Sequence, residues 1–273
     1  MGEKTGPNPT DRAKRGTKRS LLVEGQGYKN ATFGQIEVHE QITSHAREIL
    51  IRTKNIAEDM GFSVLHGIVD CLWVQGDPAE GLKARVEEET RLHTTLDTYD
   101  WLVFLPMPDG FGAYNRYYGR LSRGELKVRG IAARRGDTPV YVREMQQEML
   151  AILQEAADRQ ELLELSDRVR QRYREAVTEL PNADPAAMAI HRQISQLSYQ
   201  HACPEASAVA ACANAGIALS PGMEVGYVVT DARTWSVELD WNATRFDTGY
   251  YKKLLEKAWN EVIFAIDQVR KVR

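Results

Sequence analysis

Eight basic side chains fall between Gly110 and Arg143 (Arg116, Arg120, Arg123, Lys127, Arg129, Arg134, Arg135 and Arg143), against two acids, Glu125 and Asp137. The chain as a whole carries 35 Lys+Arg and 38 Asp+Glu, so this density is local. Residues 1–20 form a second basic block, and residues 77–100 an acidic one with seven carboxylates against three bases. Alternating blocks on a near-neutral chain suit a field that meets a polyanion on one face; a solvated charged surface accounts for the same counts. The other candidate is a single carboxylate. Asp70 stands inside the otherwise apolar run Val64-Leu65-His66-Gly67-Ile68-Val69-Asp70-Cys71-Leu72-Trp73-Val74. Desolvating a carboxylate there is costly unless it is paired, hydrogen-bonded or bound to a cation. An aspartate capping a backbone N–H at a turn meets the same need.

Other chemistries find little support in the spacing. His39, His45, His66, His93, His191 and His201 make no HxxxH pair and no cluster with carboxylates at metal-ligand spacing. Cys71, Cys203 and Cys212 make no CxxC pair, which argues against a zinc ribbon and suits a reducing interior. Gly25-Gln26-Gly27-Tyr28-Lys29-Asn30 has neither the GxGxxG spacing nor the GK[ST] ending of a phosphate loop, and reads as a glycine turn before a helix.

The elements that must position these residues follow from periodicity. The length of 273 residues suits one large domain or two small ones. No stretch approaches the ~18–20 apolar residues of a membrane span. Residues 1–20, nearly devoid of apolar groups, are expected to be a flexible basic tail. Apolar positions Ile42, Ala46, Ile49, Leu50, Ile56 and Met60 predict a helix over 35–60, stopped at Gly61. Two short strands are expected within 62–74, broken at Gly67, then a charged helix over 78–93 and a strand at 100–105. The runs 114–121 and 125–131, joined by Ser122-Arg123-Gly124, predict a hairpin. Beyond 139 the pattern is mostly helical, with helices over 140–160, 161–178, 187–199, 204–216 and 248–269. Two strands interrupt it, 224–229 and 235–239.

With these residues in place, a resemblance emerges. Gly27-Tyr28-Lys29-Asn30-Ala31-Thr32-Phe33-Gly34, the helix beginning Ile36-Glu37-Val38-His39-Glu40, and His66-Gly67-Ile68-Val69-Asp70-Cys71 resemble the palm of family B DNA polymerases. Arg116-Tyr117-Tyr118-Gly119 and Lys127-Val128-Arg129-Gly130-Ile131 resemble the family's strands that grip the primer-template. Arg134-Arg135-Gly136-Asp137-Thr138-Pro139 is similar to the passage from palm to thumb, and Pro221-Gly222 and the Tyr250-Tyr251 helix suit the thumb. The likeness covers roughly 18–273.

The resemblance implies an α+β fold: a tail over 1–20, a partial palm of antiparallel sheet and helices over 21–138, and a helical thumb over 139–273. It implies DNA contacts through Arg116, Tyr117, Tyr118, Lys127, Arg129, Arg134 and Arg135, with one of the two tyrosines packed inside and the other reaching the nucleic acid. It also implies a two-metal Mg2+ site, to which Asp70 contributes as catalytic metal ligand. Yet Ile68 replaces the family's first aspartate in the YGDTDS-type motif, and the DxxSLYPS-type motif and the NSxYG lysine helix are missing. The expectation is therefore a small subunit or C-terminal fragment of a split DNA polymerase, inactive alone. Its partners would be primer-template DNA and a larger polymerase subunit carrying the other aspartate and the dNTP-binding helix, in the cytoplasm at the nucleoid and with no membrane. A catalytically inactive DNA-binding or scaffolding relic is the alternative.

Overall fold

The computed structural model describes residues 36–106 and 112–271, so the tail expected over 1–20 and the glycines at 25 and 27 lie outside the described residues. The chain forms two compact units that divide between Leu96 and Asp97. It is a mixed fold of helices and small antiparallel sheets, as the α+β reading anticipated. No helix among the described residues is long and apolar enough to cross a membrane.

The first unit holds helix α1 (Ile36–Asp59), the antiparallel hairpin of β1 (Ser63–Ile68) and β2 (Cys71–Gln75), and helix α2 (Ala79–Thr90). Its core is small: Ile56 and Ala57 from the end of α1 pack with Phe62, Leu82 and Val86. Upstream on the apolar stripe of α1, Ile42 and Ile49 are exposed while Ala46 and Leu50 are half-buried. The strands of the hairpin turn later than the sequence suggested. Gly67 lies within β1, paired with Leu72, and the reversal falls at Val69-Asp70, where Val69 adopts the left-handed conformation at φ 51°. Gly76 is required by packing as well as by its φ of 152°, because a Cβ there would stand 2.7 Å from the Phe62 ring.

The second unit has two three-stranded antiparallel sheets. The first orders β3 (Tyr99–Pro106), β4 (Gly112–Leu121) and β5 (Leu126–Arg129); the second orders β6 (Ile190–Gln193), β7 (Glu224–Asp231) and β8 (Ser236–Leu239). Helices α3 (Val140–Gln154), α4 (Arg159–Glu179), α5 (Pro204–Asn214) and α6 (Thr248–Lys271) complete it. Asp158 caps α4, its carboxylate accepting from the N–H groups of Gln160 and Glu161. One core runs through the unit: Trp101, Tyr118 and Ile131 from the first sheet, Met145, Met149 and Leu153 from α3, and Leu255 and Val262 from α6. Hence the first sheet is continuous in packing with the helices that follow it, and the compact units do not divide at 138.

The helix expected over 187–199 is not formed. Pro185–Met188 is a short 3-10 turn and residues 190–193 are strand β6. Ile190 and Ile194, both buried, are four apart, a spacing that fits one helical turn and two strand repeats alike. The hydrogen-bonding edge of β7 decides between them, pairing Ile190 with Tyr227 and Arg192 with Val225.

Candidate nucleic-acid interface

The β4–β5 hairpin carries most of the residues singled out by charge. Its reversal at Ser122-Arg123-Gly124 closes with the Gly124 N–H donating to the Leu121 carbonyl at 2.7 Å, and Gly124 takes φ 89°. The register pairs Tyr117 with Arg129, Tyr118 with Val128, and Gly119 with Lys127. Directly opposed residues share a face and successive residues alternate. Arg116, Tyr118 and Arg120 therefore lie on the face that packs on the core, while Tyr117, Lys127 and Arg129 lie on the other.

Neither tyrosine is available to a nucleic acid. Tyr118 is fully buried, donates its hydroxyl to the Val262 carbonyl of α6 at 2.6 Å, and stands edge-on to Trp101. Burial pushes its phenol well above the usual range. Tyr117 is buried too, tilted against Phe104 at 6.1 Å between centroids. The expectation that one of the pair reaches outward is thus corrected: the outer face of the sheet has its own aromatic cover. Tyr99 belongs to that cover, its ring lying over Gly119, where a Cβ would meet it at 3.0 Å.

The cations separate into spent and unspent ones. Arg120 pairs with Asp100 at 2.6 Å, Lys127 with Asp97, and Arg123 with Glu125 at 2.8 Å and Asp97 at 3.5 Å. The hydrogen bond from Lys127 holds the Asp97 carboxyl below its ordinary value. Arg129 and Arg134 are exposed, and neither forms an ion pair among the described residues. So the acids of the 97–100 segment neutralise the turn end of the hairpin, and the positive surplus sits at the opposite end, where β5 passes into the 3-10 turn Ala132–Arg134.

Arg116 and Arg135 meet at a third carboxylate. Glu261 of α6 is buried, with its side chain 4% exposed. Its Oε1 accepts from Arg116 Nη2 at 3.0 Å and lies 3.3 Å from Arg135 Nη2. Its Oε2 accepts from the Ala132 N–H at 2.8 Å and Gln146 Nε2 at 3.0 Å. Gln146 also donates to the Ala258 carbonyl and accepts from the Ala133 N–H. Charge counting over residues 110–143 missed Glu261, Gln146, Asp97 and Asp100. The first two carried a signal nonetheless, as polar residues on apolar stripes: Glu261 beside Ala258 and Val262, Gln146 beside Val142, Met145 and Met149.

A cleft of about 310 Å3 adjoins Arg135 and is lined by Arg192, Glu205, Trp235, Tyr250 and Lys257 among others. Arg192 is matched there by Asp137 at 3.1 Å and Glu205 at 3.7 Å.

Asp70 sits at the tip of the β1–β2 hairpin, exposed, with Cys71 Sγ 3.5 Å from its Oδ1. The desolvation cost read from its apolar neighbours does not arise, because the turn lifts the carboxylate into solvent. Among the described residues no group of three or more His, Cys, Asp or Glu gathers to hold a metal ion. Lone Asp70 does not fit a two-ion site, whose hard cations need several oxygen ligands each.

No protein-family model matches the sequence. Curated relatives do. DNA polymerase 2 of Saccharolobus solfataricus is 40% identical over 105 residues, 38% of this chain and 17% of the relative. DNA polymerase 2 of Aeropyrum pernix is 27% identical over 208 residues, 75% of this chain and 25% of the relative. The DNA polymerase of Archaeoglobus fulgidus is 24% identical over 226 residues, 79% of this chain and 28% of the relative. The chain thus spans about a quarter or less of the first two relatives' length. Among solved structures, the family B DNA polymerase from Pyrobaculum calidifontis superimposes with a TM-score of 0.59 at 23% identity, covering 95% of this chain and 35% of that one. In sequence the chain is similar to part of these archaeal DNA polymerases, and in fold to part of a family B one.

Proposed function

We propose that this chain binds primer-template DNA as the small subunit, or a C-terminal palm-and-thumb portion, of a split family B DNA polymerase. The observation that carries the proposal is the cationic end of the first sheet. Arg129 and Arg134 are exposed and without ion pairs among the described residues, beside Arg116 and Arg135, which share one buried carboxylate. Cations on a rigid sheet contact phosphates and position a duplex without reading its sequence. Each phosphate they neutralise releases counterions, so log K falls by roughly 0.9 per phosphate for each tenfold rise in salt. Fluorescence-anisotropy titration of a labelled primer-template duplex over a salt series tests this. Sequence-independent binding that weakens steeply with salt is expected; affinity indifferent to salt would count against the reading.

In this reading the nucleotidyl-transfer chemistry belongs to the assembly. A larger subunit supplies the missing aspartate and the triphosphate-binding helix, and Asp70 adds one ligand to the Mg2+ site that the two chains form together. The second reading, a DNA-binding scaffold without catalytic duty, is favoured by the exposed position of Asp70, with no metal-binding cluster among the described residues. Primer extension by the reconstituted pair separates the two. Loss of extension on Asp70→Ala supports a ligand role, and unchanged extension supports the scaffold.

A further inference from the structure

Two guanidinium groups drawn from separate segments repel each other unless something holds them together. Here Arg116 comes from β4 and Arg135 from the stretch after the 3-10 turn, and both approach the same oxygen of Glu261 at 3.0 and 3.3 Å. The other oxygen of Glu261 is taken by the Ala132 N–H and Gln146, which orient the carboxylate from the core side. Arg116 is held a second time, its Nε donating to the Gly130 carbonyl at 3.3 Å. One carboxylate against two guanidinium groups leaves a surplus positive charge, and both side chains still reach solvent, 22% and 37% exposed.

We propose that Glu261 is a positioning residue that holds Arg116 and Arg135 as a paired clamp for a backbone phosphate of the bound duplex; this rests on the DNA-binding reading above. The forks of the two arginines carry more N–H groups than Glu261 and Gly130 use. Fixing long side chains before association spares the entropy of ordering them on contact. Glu261 itself is buried and touches no ligand.

Glu261→Gln tests the idea through the sign of its effect. A carboxamide oxygen continues to accept from Ala132 and Gln146, while its NH2 turns toward the arginines and releases them. The variant gains one positive charge, so an interface working by charge alone would bind duplex DNA more tightly. A positioned clamp would bind more weakly, by roughly tenfold, the scale of one charge-assisted hydrogen bond. Arg135→Lys, which keeps the charge and loses the planar fork, is expected to weaken binding by a similar factor. Because Arg135 is partly exposed, this variant decides the matter should Glu261→Gln fail to fold by circular dichroism. Tighter or unchanged binding by a folded Glu261→Gln, or full affinity in Arg135→Lys, overturns the positioning role. If Arg129→Ala and Arg134→Ala weaken binding in that same outcome, the DNA reading itself survives. Failure of the unaltered chain to bind duplex at low salt overturns both.

Discussion

Tyr118 shows how a residue can resemble a contact and serve as a strut. Its hydroxyl ties β4 to α6 through the Val262 carbonyl, so Tyr118→Phe is expected to cost about 1 kcal/mol of stability, the usual net value of such a bond. Urea denaturation would measure it, with duplex affinity unchanged in the same preparation. The cations divide on the same principle. Arg129→Ala and Arg134→Ala should each lower the slope of log K against log salt by roughly 0.9. Arg120→Ala and Lys127→Ala should leave that slope in place, since Asp100 and Asp97 already hold those charges. Equal losses from all four in anisotropy titrations would contradict this partition.

At the scale of elements, periodicity exposed most of the helices and the hairpin, because each buries a face whose apolar spacing matches its own repeat. Helix α6 is the clearest case, with Tyr251, Leu255, Ala258, Val262 and Ile266 all buried. Strand β6 stayed hidden because two isoleucines four apart serve both periods, and only β7 distinguishes them. The candidate interface was legible as composition and illegible as geometry. Eight basic residues between 110 and 143 could be counted, but which of them were already matched depended on Asp97 and Asp100, just before and at the start of β3, and on Glu261 of α6. The start of α6 yields a pH-dependent prediction. Asp247 accepts from the Ala232 N–H at 2.8 Å and the Tyr250 N–H at 2.9 Å, and these bonds lower its carboxyl from the ordinary value. Its folded pKa lies below the unfolded value of about 3.9. The stabilisation is therefore complete above that value and is lost as pH falls through the folded pKa. Thermal melts should show Asp247→Asn less stable than the unaltered chain at pH 7, with the gap narrowing as pH is lowered toward 3.

For the whole molecule, the two units differ in how much they bury. The first rests on Ile56, Ala57, Phe62, Leu82 and Val86, while the second has a core that runs through both its sheets and all four of its helices. Stability scales with apolar area removed from water, so calorimetry should resolve two transitions, the lower belonging to residues 36–96. Limited proteolysis just below the main transition should leave a resistant fragment beginning near Asp97. A single cooperative transition with no such fragment would contradict this. The matched charges at one end of the β4–β5 hairpin and the unmatched ones at the other have a further consequence. A lopsided electrostatic surface exerts torque as well as pull, so a rod-like polyanion would be swung toward the Arg129–Arg134 end before any contact forms. Added electrolyte would then slow arrival far more than it hastens departure.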